Sequence, residues 1–302
     1  MDIYILYYLA AGAISGLLAG FFGIGGGMII VPVLIYIFKV QGVPEAALTH
    51  VGIGTSLTTI IVTSISSLRA HDSGGAVNWS VWKRMAPGLV IGSFIGAGIA
   101  SVIQGNSLQA IIGIGAFLVG LKMLFTKNKS LEENNFSKLP SPLGQTSLGG
   151  FIGIVSAIFG IGGGTLTVPI LSYYGLKIQN AVGTSAACGL PIAASGAFGF
   201  FVFGQFVDPS IKEALPNGVL GFVHIYAFIC VSLASFFTAR MGAKLTHKLP
   251  AAALKKAFAV MLLIVGIKLI LNSKVFMNSP LINFSGVFFL NHRHIFFRKS
   301  RW

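Results

Sequence analysis

Two stretches of this chain read almost alike: residues 16–32, GLLAGFFGIGGGMIIVP, and residues 153–169, GIVSAIFGIGGGTLTVP. Each interrupts an apolar run with three consecutive glycines and closes on Val-Pro. Further along, Gly54-Thr55-Ser56 recurs as Gly183-Thr184-Ser185, Gly96-Ala97 as Gly242-Ala243, and Gly120-x-Lys122 as Gly266-x-Lys268. Anchors that recur in one order point to a duplicated unit. Any fold for this chain must therefore accommodate the same broken apolar segment twice.

The solvent for that unit follows from the charges. Only 9% of the 302 residues are charged and 54% are apolar, whereas a soluble domain carries about 25% charged residues. Too little polar surface remains to face water, so lipid is the expected medium. The net charge of +14 comes from 21 Lys and Arg against 7 Asp and Glu. Most of these cations fall between apolar runs, where cytoplasmic anchoring and anionic headgroups account for them without nucleic acid. Cys188 and Cys230 both lie in apolar runs and make neither a disulfide framework nor a metal cluster. The first residues, Met1-Asp2-Ile3-Tyr4, lack a positive n-region and are expected to belong to the mature protein.

The expected organisation is a first transmembrane repeat over 1–125, a polar linker over 126–145, a second repeat over 146–272 and a basic, aromatic tail over 273–302. The fold class is an all-α integral membrane protein of two homologous, inverted repeats. Each repeat has about five helical segments, one of them a Gly-broken helix. The apolar segments are expected near 4–22, 28–38, 46–68, 85–104 and 107–125, then 146–159, 165–175, 180–203, 218–239 and 251–271. One straight helix over 4–38 would run about 50 Å, beyond a ~30 Å hydrocarbon core. A break at the glycines makes either two short spans or a re-entrant hairpin. Either adds an even number of crossings to the three spans that follow, so the second repeat is upside down relative to the first. Counting charges between spans does not decide between this arrangement and a single broken span at each motif, and leaves the sidedness of the tail open.

Unwound backbone at membrane depth survives only where protein buries it or a cavity lies beside it. Gly23, Gly25, Gly26 and Gly27, with Gly160, Gly162, Gly163 and Gly164, expose amide groups and permit close approach. Helices restarting at Met28 and Thr165 would aim positive dipole ends at the break. This is the chemistry of an anion site that needs no buried cation. Thr55, Ser56, Thr165, Thr184 and Ser185 add hydroxyl donors. His50 and His224 are the main titratable residues near the spans and are the candidates for proton coupling, beside the plainer role of satisfied or interfacial histidines. Lys122 and Lys268 sit near span ends and can snorkel. Gly16-x3-Gly20 and Gly92-x3-Gly96 have the small-residue spacing of close helix packing.

Enzymatic readings find no support. Gly23-x-Gly25-x-x-Met28 and Gly160-x-Gly162-x-x-Thr165 each lack the third glycine of a dinucleotide motif, and neither has the Lys-Ser/Thr of a P-loop. No spacing pairs a nucleophile with a base. No cofactor and no metal are expected. The duplicated GxxxxxxGxGGGxxxVP motif, each copy followed by Gly-Thr-Ser, resembles the sulfite exporter TauE/SafE family of membrane permeases over residues 5–272. That resemblance implies transport of small sulfur-containing or organic anions, such as sulfite, thiosulfate or sulfoacetate, across the bacterial inner membrane. It carries over Gly23, Gly25, Gly26, Gly27, Pro32, Gly160, Gly162, Gly163, Gly164 and Pro169 as the motif positions. The expected function is a multi-pass secondary transporter working by alternating access between repeats, with the bilayer as a partner and protons as the candidate coupling ion. The rivals are an anion pore and a non-transporting membrane assembly or sensory component.

Overall fold

The structure is a computed structural model, and it describes residues 2–22, 27–125, 139–246 and 251–273. It is helical almost throughout. The first half comprises α1 (Asp2–Phe22), α2 (Gly27–Val40), α3 (Glu45–Asp72), α4 (Trp79–Val102) and α5 (Gly105–Phe125). The second comprises α6 (Pro142–Phe159), α7 (Gly164–Tyr173), α8 (Ile178–Phe203), a short α9 (Pro209–Glu213), α10 (Ile225–Thr246) and α11 (Ala251–Asn272). Five of these helices are long and apolar enough to cross a membrane, among them α3, α4 and α5. Ile91, Ile99, Phe151 and Leu233, all 40% or more exposed, lie on outer faces suited to lipid rather than water.

Small residues decide which helices touch. On α4, a Cβ added at Gly88, Gly92 or Gly96 would collide with backbone at Thr146, Gly150 and Ile154 of α6, so these two helices run parallel in close contact. Gly12 and Gly16 of α1 meet Val231 and Ser235 of α10 in the same parallel sense. By contrast, Gly113 meets Gly266 and Gly120 meets Ala259, which sets α5 antiparallel to α11. At the centre, Gly54 packs on Phe200, Leu57 on Gly196 and Ser64 on Gly189, so α3 and α8 cross the core in opposite directions.

Around this pair, two hairpins enter from opposite ends. In the first, the Tyr8 ring of α1 sits edge-on to Phe38 at 6.1 Å, and its hydroxyl donates to Gln41 just past α2 at 2.5 Å. The chain thus turns back between Phe22 and Gly27. In the second, α6 ends at Phe159 and α7 returns beside α8, with Leu171 and Leu176 packed near Ala181. Gly27 and Gly162 approach Ile60, Gly160 approaches Ile53, and Gly162 also approaches Gly189, near the midpoints of α3 and α8. Of the two forms left open by the sequence, the re-entrant hairpin is the one formed.

Three expectations need correction. The apolar stretch from 218 is not helical at its start. Gly218 (φ 91°) and Gly221 (φ 58°) adopt left-handed backbone, and Val219–Leu220 (β1) pairs antiparallel with Val223–His224 (β2) before α10 begins at Ile225. Phe222 N–H donates to Phe200 O at 3.2 Å, docking this turn on the end of α8. Helix α4 starts at Trp79, where Asn78 accepts from Val81 N–H as its cap, rather than near 85. Helix α6 begins inside the expected linker, at Pro142, with Ser141 accepting from Gly144 N–H; proline at the first helical position is favourable because its missing amide would have no partner there. Residues 126–138 and most of the tail lie outside the described residues.

The packing of α4 on α6 yields a direct prediction. Gly92→Val puts a branched side chain into Gly150 backbone and should cost about 1–3 kcal/mol in thermal unfolding of the detergent-solubilised protein. Gly74→Ala is the matched control, since its Cβ would meet only His71 O at 3.6 Å, and it should leave the unfolding temperature unchanged.

Candidate functional site

The second break is built from two left-handed glycines. Gly160 (φ 67°) ends α6, with its own N–H on Ala157 O and that of Ile161 on Ser156 O; glycine takes this turn without a Cβ penalty. Gly163 (φ 77°) precedes α7 and supplies no side-chain cap to it. The first amides of a helix have no partner within it; in α7 that of Leu166 turns back to Gly163 O at 3.0 Å, and those of Gly164 and Thr165 are left at the break. The first break contributes Gly27, the N-terminal residue of α2. A Cβ there would lie 2.8 Å from Gly160 O and 2.9 Å from Ile161 Cα. The two breaks therefore abut, and Thr165 Oγ1 reaches across to Met28 Sδ at 3.9 Å. Gly23, Gly25 and Gly26 lie outside the described residues.

Prolines sharpen this chemistry. Pro32 and Pro169 lie five residues into α2 and α7 by the same register. A proline has no amide hydrogen, so the carbonyl four residues before it loses its helical donor. Those carbonyls belong to Met28 and Thr165, beside the breaks. The site thus offers amide donors and free acceptors within one turn of each other. No Lys, Arg, Asp or Glu occurs in 46–68, 143–176 or 178–207, the segments that surround it.

The expected hydroxyls divide. Ser56 Oγ donates to Gly160 O at 3.0 Å and holds the second break in place. Ser185, one turn before Gly189 on the same face of α8, is buried and without a partner among the described residues. Thr55 and Thr184 serve elsewhere. Thr55 Oγ1 accepts from His224 N–H at 2.9 Å, and Thr184 Oγ1 accepts from Asn78 N–H at 2.9 Å. Each threonine thereby ties down the residue before a helix of the opposite half, α10 or α4. Gly54 and Gly183 let Phe222 and Ala76 carbonyls approach beside them.

Two residues that sequence reasoning passed over complete the site. Ser156 and Thr167 are fully buried, and neither hydroxyl has a partner among the described residues. Both face Gly163, 3.4 Å (Thr167 Oγ1) and 3.7 Å (Ser156 Oγ) from where its Cβ would be. An unmet buried hydroxyl costs about 1–3 kcal/mol, so a pair of them beside uncapped amides marks a place where a polar guest belongs. The signal was present in the difference between the two motif copies. Where the second has Ser156, Thr165 and Thr167, the first has Ala19, Met28 and Ile30. The polar groups belong to one break only.

The two histidines stand away from the breaks, each at an interhelical junction. His50 Nδ1 faces Ala46 O at 3.1 Å, and Nε2 faces Ala100 O at 3.1 Å and Ile103 O at 3.0 Å. Its ring stacks on Phe222. His224 Nδ1 accepts from Ala227 N–H at 3.3 Å, which caps α10. Its Nε2 lies 3.3 Å from the Tyr8 hydroxyl and 3.4 Å from Gln41 Nε2, and its ring stacks on Phe38 at 5.2 Å.

Multiple apolar helices around a pair of broken ones define a multi-span membrane protein of the transporter class. Residues 8–269 match the family model described as Sulfite exporter TauE/SafE, and the chain belongs to that family. It is 36% identical over 272 residues to a probable membrane transporter protein of Haemophilus influenzae, covering 90% of this chain and all of the relative. It is also 26% identical to a probable membrane transporter protein of Methanocaldococcus jannaschii (87% of this chain, 94% of the relative) and 26% identical to one of Bacillus subtilis (84% and 96%). No solved structure matches the chain.

The orphan hydroxyls give a test independent of transport. Ser156→Ala and Thr167→Val remove an unmet donor at nearly constant shape. Each should stabilise the ligand-free protein by about 1 kcal/mol. Thermal unfolding of the two single variants without ligand checks this against the wild type.

Proposed function

We propose that this protein is a secondary transporter that moves a small oxyanion, of the sulfite, thiosulfate or sulfoacetate class, across the cytoplasmic membrane by alternating access. The abutment of the two glycine breaks at mid-depth is the observation that carries this reading. Backbone amides there act in a water-poor setting, where their dipoles attract an anion far more strongly than in water. Ser156, Thr165, Thr167 and Ser185 would complete its hydrogen bonding, with Gly27, Gly160, Gly162, Gly163 and Gly164 admitting it closely. The acceptor carbonyls of Met28 and Thr165 suit a singly protonated oxyanion, which donates one hydrogen bond as well as accepting several.

Two inverted repeats supply the moving parts. In support, the segments that follow equivalent motifs, α3 and α8, run antiparallel, as do α5 and α11. The remaining contacts exchange in the same way: α1 packs on α10 and α6 on α4. The α4–α6 and α1–α10 pairs are then the units that rock against the central α3–α8 pair. The end holding Arg69, Lys83, Arg84, Lys177 and Lys256 against Asp72 is the cytoplasmic one. Opposite it, Lys39, Lys212 and Lys268 are balanced by Glu45, Asp208 and Glu213.

If protons drive the cycle, His50 is the better carrier of the two histidines. Its ring nitrogens face only carbonyl oxygens, which accept from both N–H groups of the protonated ring, while the neutral ring keeps one of these bonds. Protonating His224 Nδ1 would oppose Ala227 N–H and break the α10 cap. Uptake of radiolabelled sulfite and thiosulfate into proteoliposomes, with and without a pH gradient, tests the whole reading. Saturable uptake with counterflow is expected, and Ser156→Ala with Thr167→Val should lower it at least tenfold, the loss of about two hydrogen bonds to a charged group. His50→Gln should abolish the gradient dependence, while His224→Asn, which can still cap α10, should keep it. Current without counterflow would mean a pore, and uptake indifferent to both hydroxyls would remove the site from the breaks.

A further inference from the structure

A second cavity, of about 220 Å³, lies between α2, α3, α5 and α11, apart from the breaks. Its inner wall is apolar, from Pro32, Val33, Ile35, Leu48, Val265 and Leu269. Its rim is polar and comes from helix ends: Lys39 in the last turn of α2, Asn106 in the first of α5, and Asn272 closing α11, with Lys268 one turn earlier. Glu45 also stands on the rim, at the first turn of α3, where the helix dipole favours a carboxylate. Two ammonium groups against one carboxylate leave the rim positive. Lys268 Nζ lies 5.8 Å over the ring of Tyr36, which is 64% exposed on the outer edge. Ile267 and Leu271, exposed on the same helix, continue that edge as a surface too apolar for water.

We propose that this crevice seats the headgroup of an anionic phospholipid from the leaflet at that end of the molecule. Lys and Tyr at helix ends mark the headgroup level of a bilayer, and basic pockets between transmembrane helices are suited to acidic headgroups. The phosphate lies between Lys39 and Lys268, Asn106 and Asn272 donate to its oxygens, and the first acyl carbons follow the Val33 and Val265 wall outward. The volume is below the 300–1,000 Å³ typical of sites that enclose a whole ligand, so the chains remain in the bilayer. Because α2 is both one wall of the crevice and the helix that starts at Gly27, such a lipid would brace the hairpin whatever the transported substrate.

The full chain in detergent tests this, with bound lipid counted by native mass spectrometry and thermal unfolding followed in parallel. Phosphatidylglycerol should be retained and should raise the unfolding temperature; phosphatidylcholine should do neither. Lys39→Gln with Lys268→Gln should weaken phosphatidylglycerol binding about thirtyfold, as two lysines near an anionic headgroup imply. Lys212→Gln, at the same end but outside the crevice, should change nothing. Should the double variant fail to fold, the single substitutions carry the test, with Lys268→Arg expected to retain the lipid. Equal binding of phosphatidylcholine, or full retention without the lysines, would overturn the proposal. Equal protection by inorganic phosphate would overturn it too, by showing a site for free anions.

Discussion

A backbone amide or carbonyl in hydrocarbon must find a partner within the protein, because no water is there to supply one. This chain interrupts two helices at mid-depth, so its architecture has to wrap both interruptions in other helices. The wrapping is done by α3 and α8, whose midpoints flank the breaks through Ile60, Ser64 and Gly189. Ser56 then closes the one carbonyl that the turn at Gly160 leaves facing α3. Beside the breaks, the hydroxyls of Ser156, Thr167 and Ser185 stay unmatched among the described residues, next to the first amides of α7. The functional reading rests on that cluster of unmet hydrogen bonding, because its members converge on one break.

Close helix packing makes the wrapping possible. Lipid tails are as apolar as leucine, so helices in a bilayer gain little from apolar burial alone and depend on close contact. Gly88, Gly92 and Gly96 bring α4 onto α6 backbone to backbone, as Gly12 and Gly16 bring α1 onto α10. The helix pairs so formed border the α3–α8 core, α4 against α8 and α10 against α3. Threonines 55 and 184 pin that boundary at both ends, each through one hydrogen bond to the residue before a helix of the other half. The two Gly-Thr-Ser copies thus make matching contacts, one at each end of the core.

Much of this was legible beforehand. The triple glycines, their position in runs too long for one span and the following Val-Pro were enough to place both breaks, and the charge deficit was enough to place the chain in lipid. Less visible was the turn at 218–224, because a Val-Leu-Gly-Phe-Val stretch has the hydropathy of a helix; only its two left-handed glycines and the docking of Phe222 on Phe200 make it a β-turn. Ser156 and Thr167 escaped notice for a related reason. A serine or threonine in a transmembrane helix ordinarily bonds its own backbone, as Thr58 and Thr59 do, and nothing local says when it will not.

The sequence by itself therefore determined the medium and where the helices break, since these follow from composition and from the length of helix a bilayer admits. Tertiary structure alone decided that the two breaks touch, that Thr55 and Thr184 are anchors while Ser56 braces Gly160, and that the polar groups gather at one break. Those outcomes depend on which helices approach within a Cβ of each other. Such approaches join residues a hundred or more positions apart, as Ser56 and Gly160 do, through contacts that no local pattern encodes.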